Sequence, residues 1–245
     1  MTLEELQNSI YDNSLFCRFT KELQLTEKQI QTEKLEKVTF ESAGEFVQIQ
    51  KNLFEKPVEI YKTASNKSCN QKQTDKTCFK KTSEGLSFRN SCDGVFFLNT
   101  ERKSYLIFVE LKSNCSGVIE KGIYQLVATY IKTKQLLHSY ATYEESKYEE
   151  LGLIVSYPFP ENELDSANNK QVFALKQSQI RVSSTRDYRL ELIRKKEVVM
   201  KGEDFGLNNM NISPAITMKA LRVKHLKVEN EKCECKFDLD AIVQG

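Results

Sequence analysis

Histidine is scarce in this chain: among 245 residues only His138 and His225 occur. That excludes a zinc hydrolase built on several imidazoles. It equally excludes an HNH-type nuclease, which needs histidine as base and as ligand. Glycine is sparse too, at nine residues, and no Gly-x-Gly-x-x-Gly or Walker A loop is present. Without such a phosphate cradle, ATP-driven action by this chain alone is not expected. No apolar run approaches the roughly 18 residues needed to cross a bilayer. The opening MTLEELQNSIYDNSLF lacks the basic start and apolar stretch of a signal peptide. The expectation is a cytoplasmic protein with no membrane partner.

Neither sign of charge dominates. The 36 basic and 34 acidic residues leave a net charge of +2, which identifies no partner. Local positive patches remain available to a phosphate backbone. The seven cysteines are an odd number and contain no C-x-x-C pair; Cys233 and Cys235 form a C-x-C, and Cys69 and Cys78 lie in a polar stretch. These spacings match no standard zinc site, so they read as reduced, structural or incidental thiols.

What is present is concentrated between Cys92 and Ser113. Two β-favouring runs, V-F-F-L and Y-L-I-F-V, flank the polar turn N-T-E-R-K. This predicts a β-hairpin. Asp93, Glu110 and Lys112 sit on or beside those apolar strands, where an unpaired charge costs several kcal/mol. With the turn centred between Glu101 and Arg102, residues whose numbers sum to 203 face each other, and Asp93 faces Glu110. Facing Cβ atoms lie about 4.5–5.5 Å apart. Lys112 shares the face of Glu110, two residues on. A one-residue shift leaves Asp93 diagonal to Glu110, still within reach of a shared ion. Two carboxylates this close repel unless a cation such as Mg²⁺ stands between them.

Asp, hairpin turn, then Glu-x-Lys resembles the PD-(D/E)xK nuclease superfamily, whose fold is called restriction-endonuclease-like. The matching residues are Asp93, Glu110, Leu111 and Lys112. The proline of the family name is replaced by Cys92, at a position that varies within the family. The resemblance implies one or two Mg²⁺ (or Mn²⁺) ions on Asp93, Glu110 and the backbone carbonyl of Leu111. It implies that Lys112 orients or deprotonates the attacking water or steadies charge on the phosphate. It also implies a glutamine on the following helix that reaches the site. Gly117–His138 predicts that helix, with Ile119, Ile123, Val127 and Ile131 as its apolar stripe and Gln125 as the candidate. A metal-completing glutamate on an earlier helix is a further family element. Phe40–Glu55 is expected to be that helix, with Glu41 and Glu45 as candidates and Glu45 preferred.

The expected fold is α/β: a mixed sheet flanked by helices, with an accessory C-terminal β-hairpin. Residues 1–35 are expected to be an N-terminal helical segment, 36–160 the nuclease core, and 161–245 accessory strands and helices. Leu151–Tyr157 predicts the strand after the crossover helix, and 215–229 with 232–243 the C-terminal hairpin. The residues between 64 and 84 are polar, with net positive charge, and are expected to be a loop beside a DNA groove or a solvated loop. The expected activity is metal-dependent hydrolysis of DNA phosphodiesters, as an endonuclease of restriction or anti-phage defence. It would act as a homo-oligomer or beside a protein that supplies specificity. A repair or recombination nuclease and a non-catalytic nucleic-acid-binding subunit of the same fold are the alternatives.

Overall fold

The computed structural model describes residues 16–26, 35–50, 82, 86–88, 90–112, 118–158, 184–229 and 233–244. They form one mixed sheet of eight strands with helices on it. The strands are β1 (Phe16–Thr26), β2 (Lys37–Ile49), β3 (Gly94–Asn99), β4 (Ser104–Lys112), β5 (Tyr148–Ser156), β6 (Glu197–Met200), β7 (Leu221–Lys227) and β8 (Glu234–Asp238). Their order is β1-β2-β3-β4-β5-β7-β6, and β8 pairs with β2. β1 to β4 run antiparallel in succession; β5 lies parallel to β4, and β7 parallel to β5.

The hairpin forms in the expected register. Gly94 faces Val109 and Asn99 faces Ser104. Almost every side chain on β3 and β4 is buried, on both faces. That is why these runs are continuously apolar rather than alternating. Helix α1 (Val118–Leu137) then crosses over to β5. Its predicted stripe of Ile119, Ile123, Val127 and Ile131 lies in the core with Val95, Phe108 and Ile154 of the sheet. Helix α2 (Ser184–Lys195) packs on α1, and Leu192 and Ile193 join the same cluster. None of the described helices is long and apolar enough to cross a membrane.

The second face of the sheet is covered by the chain's own β-ribbon. β2 pairs with β3 through Glu45–Ile49 but with β8 through Lys37–Glu41. Leu25, the partner of Val38, comes within reach of Gly94, close to where β2 leaves β3. A straight strand would hold residues 38 and 50 roughly 40 Å apart. The ribbon therefore folds back over the sheet, burying Leu23, Leu25, Val38 and Phe40 against Phe96, Val109 and Val155. At the fold, Asp240 of helix α3 (Leu239–Gln244) accepts from Ser42 Oγ at 2.7 Å and from the Ala43 N–H at 2.8 Å. β1 carries a bulge between Thr20 and Glu22, and Lys21 takes φ 72° there.

Three expectations are corrected. Phe40–Ile49, expected as helix, is strand. Val38, Phe40 and Phe46 face one side and Val47 and Ile49 the other, so the second half of the strand is buried on both faces. Apolar residues from the two faces together mimic a spacing of three and four. The N-terminal segment, expected as helix, is strand from Phe16 to Thr26, its alternation interrupted by the bulge; residues 1–15 and 27–34 lie outside the described residues. The C-terminal hairpin does not form. β7 and β8 are both strands, but β7 enters beside β5 and β8 goes to β2. Alternation identifies a strand and leaves its partner open. Residues 51–81, which hold most of the polar segment, lie outside the described residues, as do 159–183.

Gly152 of β5 lies beneath α1. An added Cβ would stand 2.8 Å from Val223 Cγ2 and 3.4 Å from Leu126 Cδ1. Gly152→Ala is expected to destabilise the protein by about 1–3 kcal/mol through overpacking, read from the urea unfolding midpoint.

Candidate active site

Alternation places Asp93, Glu110 and Lys112 on the face of the sheet that α1 covers. Val95, Phe97, Leu106 and Phe108 occupy the same rows and lie in the α1 cluster. Val109 and Leu111 point to the other face. Glu110 is fully buried and Lys112 is 7% exposed. The Lys112 ammonium is hydrogen-bonded to Glu110 Oε1 and, at 2.8 Å, to Gln125 Oε1. A carboxylate at this depth needs a cation at hand, and the lysine two residues on supplies it.

Asp93 lies just before β3. Its N–H donates to the Val109 carbonyl at 2.9 Å, and its Oδ2 accepts the Leu111 N–H at 2.9 Å. Both backbone groups of a strand residue point to the same side. The Leu111 carbonyl is thus directed towards the gap that opens where β3 has not yet begun. Two carboxylates and one carbonyl, all hard oxygen donors, face that region. The set fits a Mg²⁺-type ion. Among the described residues no third His, Cys, Asp or Glu joins them.

Helix α1 holds the site from above with one polar row. Gln125, Thr129 and Lys132 lie on one side of the helix, three or four residues apart. Gln125 Nε2 donates to the Ser91 carbonyl at 2.9 Å. Thr129 Oγ1 accepts the Cys92 N–H at 2.8 Å. Lys132 Nζ donates to the Asn90 carbonyl and to Ser91 Oγ, each at 2.7 Å. The segment entering β3 is therefore fixed residue by residue. Gly122, one turn earlier, allows close approach: a Cβ there would meet Glu110 Cγ and Lys112 Cε, both at 3.4 Å. Burial pushes the Cys92 thiol up to about 12, and the Glu110 and Asp93 carboxylates add to it. Cys92 is a buried thiol, bonded to the Gly94 carbonyl.

Glu45 and Glu41 stand elsewhere. Glu45 faces Asn99, at the turn end of the hairpin, roughly 20 Å along the strand from Asp93. It pairs with Arg18 at 2.7 Å. Glu41 pairs with Lys236 at 2.7 Å beside β8. Neither belongs to the cluster, because the segment that was to carry them is a strand on the far side of β3.

Two polar residues missed by the sequence reading adjoin the site. Across the sheet, Lys112 aligns with Ser156 and then Lys227; Glu110 aligns with Ile154 and then His225. Ser156 Oγ lies 2.7 Å from His225 Nε2, and both residues are buried. Burial, then the charges of Lys227 and Lys196, pushes His225 down to about 4. The signal was available: a serine closing an apolar strand, and one of only two histidines at an inward position of an alternating strand. Without the strand order, neither could be placed beside Lys112.

Comparison with family models, with curated proteins and with solved structures finds no match to this chain. The site's meaning rests on its own chemistry.

Two outcomes follow from this arrangement. Lys112→Met strands the Glu110 carboxylate and is expected to cost roughly 3–5 kcal/mol, whereas Glu110→Leu/Lys112→Met together recover most of the loss. Urea unfolding of the three proteins measures both. His225 is held neutral in the fold, so its contribution is present above pH 6.5 and is lost as pH falls towards about 4. The loss is on the order of 3 kcal/mol. Unfolding at pH 7 and pH 4.5 is expected to show a shallower acid decline in His225→Gln than in the natural protein.

Proposed function

We propose that this chain is a metal-dependent nuclease that hydrolyses DNA phosphodiester bonds. The observation that carries the reading is the meeting of Asp93, Glu110 and Lys112 on one face of an apolar hairpin, with Gln125 bridging Lys112 to the segment before Asp93. Charges so placed weaken a core unless they serve another purpose. The path from β2 through the β3–β4 hairpin and the α1 crossover to parallel β5 is what a restriction-endonuclease-like core requires, and it supports that finer reading of the fold.

Each residue then has a task. Asp93 and Glu110, with the Leu111 carbonyl, would hold Mg²⁺ or Mn²⁺. The ion, when bound, supplies charge to polarise the phosphate and to acidify water beside it. Lys112 exchanges part of its contact with Glu110 for the attacking water or the developing negative charge on the phosphate. Gln125 keeps the ammonium aimed, and its bond to Ser91 keeps Asp93 in register with it. An endonuclease of restriction or anti-phage defence, in the cytoplasm and acting as a homo-oligomer or beside a specificity-supplying partner, is the setting proposed.

The test is cleavage of supercoiled plasmid and linear duplex with Mg²⁺ or Mn²⁺, and with EDTA. Metal-dependent nicking is expected, with Asp93→Ala inactive and Lys112→Ala slower by roughly 10²–10³-fold. Circular dichroism verifies that each variant is folded. If the natural protein cuts neither substrate, calorimetric titration with Mg²⁺ decides. Binding that Asp93→Ala abolishes keeps the metal site, and no binding would falsify the catalytic reading.

A further inference from the structure

Helix α1 meets the site along one stripe. Gly122, Gln125, Thr129 and Lys132 recur at intervals of three, four and three residues, which sets them in line on one face. Gly122 leaves room for the Glu110 and Lys112 side chains. Gln125 links Lys112 to the Ser91 carbonyl. The next two members have no part in the chemistry so far. Thr129 is fully buried; its oxygen accepts the Cys92 N–H at 2.8 Å and its proton goes to the Gln125 carbonyl at 2.8 Å. Lys132 is half-buried and donates to the Asn90 carbonyl and to Ser91 Oγ, each at 2.7 Å.

Asp93 follows directly on the three residues so held. Residues 90–92 lie before β3 and outside its ladder. The sheet takes over only at Asp93, through its N–H on the Val109 carbonyl and its Oδ2 on the Leu111 N–H. Apolar packing would cover the segment without fixing where it lies along the helix. Hydrogen bonds are directional and do fix it, and those from an ammonium are the stronger kind. The stripe thus ties Lys112 at one end and the approach to Asp93 at the other. A carboxylate held this way keeps one placement against Glu110. Mg²⁺ demands near-octahedral oxygen geometry at about 2.0–2.1 Å, whereas Ca²⁺ accepts about 2.3–2.6 Å and irregular shells. A fixed pair of carboxylates suits the smaller and more exacting ion.

We infer that Thr129 and Lys132 are positioning residues of the metal site. By fixing residues 90–92 on α1 they set Asp93 against Glu110 and so favour Mg²⁺ over Ca²⁺. The inference rests on the metal site of the nuclease reading and not on its substrate.

The test is calorimetric titration with Mg²⁺ and, separately, with Ca²⁺. Thr129→Val keeps the shape of the side chain and removes its hydrogen bonds. It is expected to weaken Mg²⁺ binding by roughly tenfold, as loss of a group that orients a metal ligand does, and Ca²⁺ binding much less. Lys132→Met, at a half-buried position, is expected to act in the same direction and serves if Thr129→Val does not fold. Thr129→Ser retains the hydroxyl and is expected to keep the natural Mg²⁺ affinity. Thr133→Val is the control. It makes the same exchange one turn further along α1, where the hydroxyl has no hydrogen-bond partner among the described residues, and is expected to change neither ion. Natural Mg²⁺ affinity in both Thr129→Val and Lys132→Met overturns the inference. So does an equal loss of both ions, a loss in Thr129→Ser as large as in Thr129→Val, or a natural protein that binds neither ion. Plasmid cutting separates the two claims. A natural protein that cuts, with variants that bind Mg²⁺ as it does, leaves the nuclease standing and removes the positioning role. A natural protein that binds Mg²⁺ and cuts nothing removes the nuclease, and a Mg²⁺ preference lost in the variants leaves the positioning role standing.

Discussion

A carboxylate sits in the middle of an apolar sheet face, and much of the structure around it follows from the need to neutralise it. Glu110 has Phe108 before it on its row and Ile154 beside it. Its charge is answered by Lys112, which reaches back along the same strand. Lys112 is in turn held by Gln125, and Gln125 by the carbonyl of Ser91. One electrostatic requirement thus joins a central strand, the crossover helix and the segment that delivers Asp93. A pair of leucines would fill the same space with less desolvation. Stability alone does not account for the pair, which is the physical argument for a chemical role.

The crossover helix meets a second buried charge at its other end. Lys134 is fully enclosed and donates to Glu150 Oε1 at 2.7 Å and to Tyr143 Oη at 3.2 Å, and Tyr130 Oη donates to Glu150 Oε2 at 2.7 Å. Burial alone would lower the pKa of this ammonium, but the bond and charge of Glu150 outweigh it and hold it above the usual lysine value. Glu145, at 3.2 Å from the same ammonium, adds a second carboxylate, so each charge in the cluster is answered by another side chain. The group around Asp93 differs: Asp93 is only partly buried, at an edge where β3 has not begun. The two clusters fix the same helix, one as an internal anchor and the other at the partly exposed rim of the sheet.

The part of this architecture legible in the sequence is the part governed by local rules. The hairpin register followed from the position of its turn, and the crossover helix from its stripe of Ile119, Ile123, Val127 and Ile131. The convergence of Asp93, Glu110 and Lys112 followed from period-two geometry. What was not legible depends on long-range choices. Burial of both faces of β2 between Phe46 and Ile49 produced a helix-like apolar spacing, which drew Glu45 into the wrong place. The partner of β8 lies almost two hundred residues upstream, and no local pattern names it. Ser156 and His225 become neighbours of Lys112 only once β7 is known to lie beside β5.

The exchange of partners along β2 bears on how the chain is made. Its first half is paired on one side by β8, and the bend above it is tied by Asp240. Synthesis proceeds at about 5–20 residues per second, so roughly ten to forty seconds separate the emergence of β2 from that of β8. During that interval the edge of Lys37–Glu41 has no strand to cover it. A nascent chain in this state offers an open β-edge to its neighbours on the same message. The lysines and glutamates that flank the edge, Lys37 and Glu41 among them, are the kind of residue that discourages such pairing until the native strand arrives.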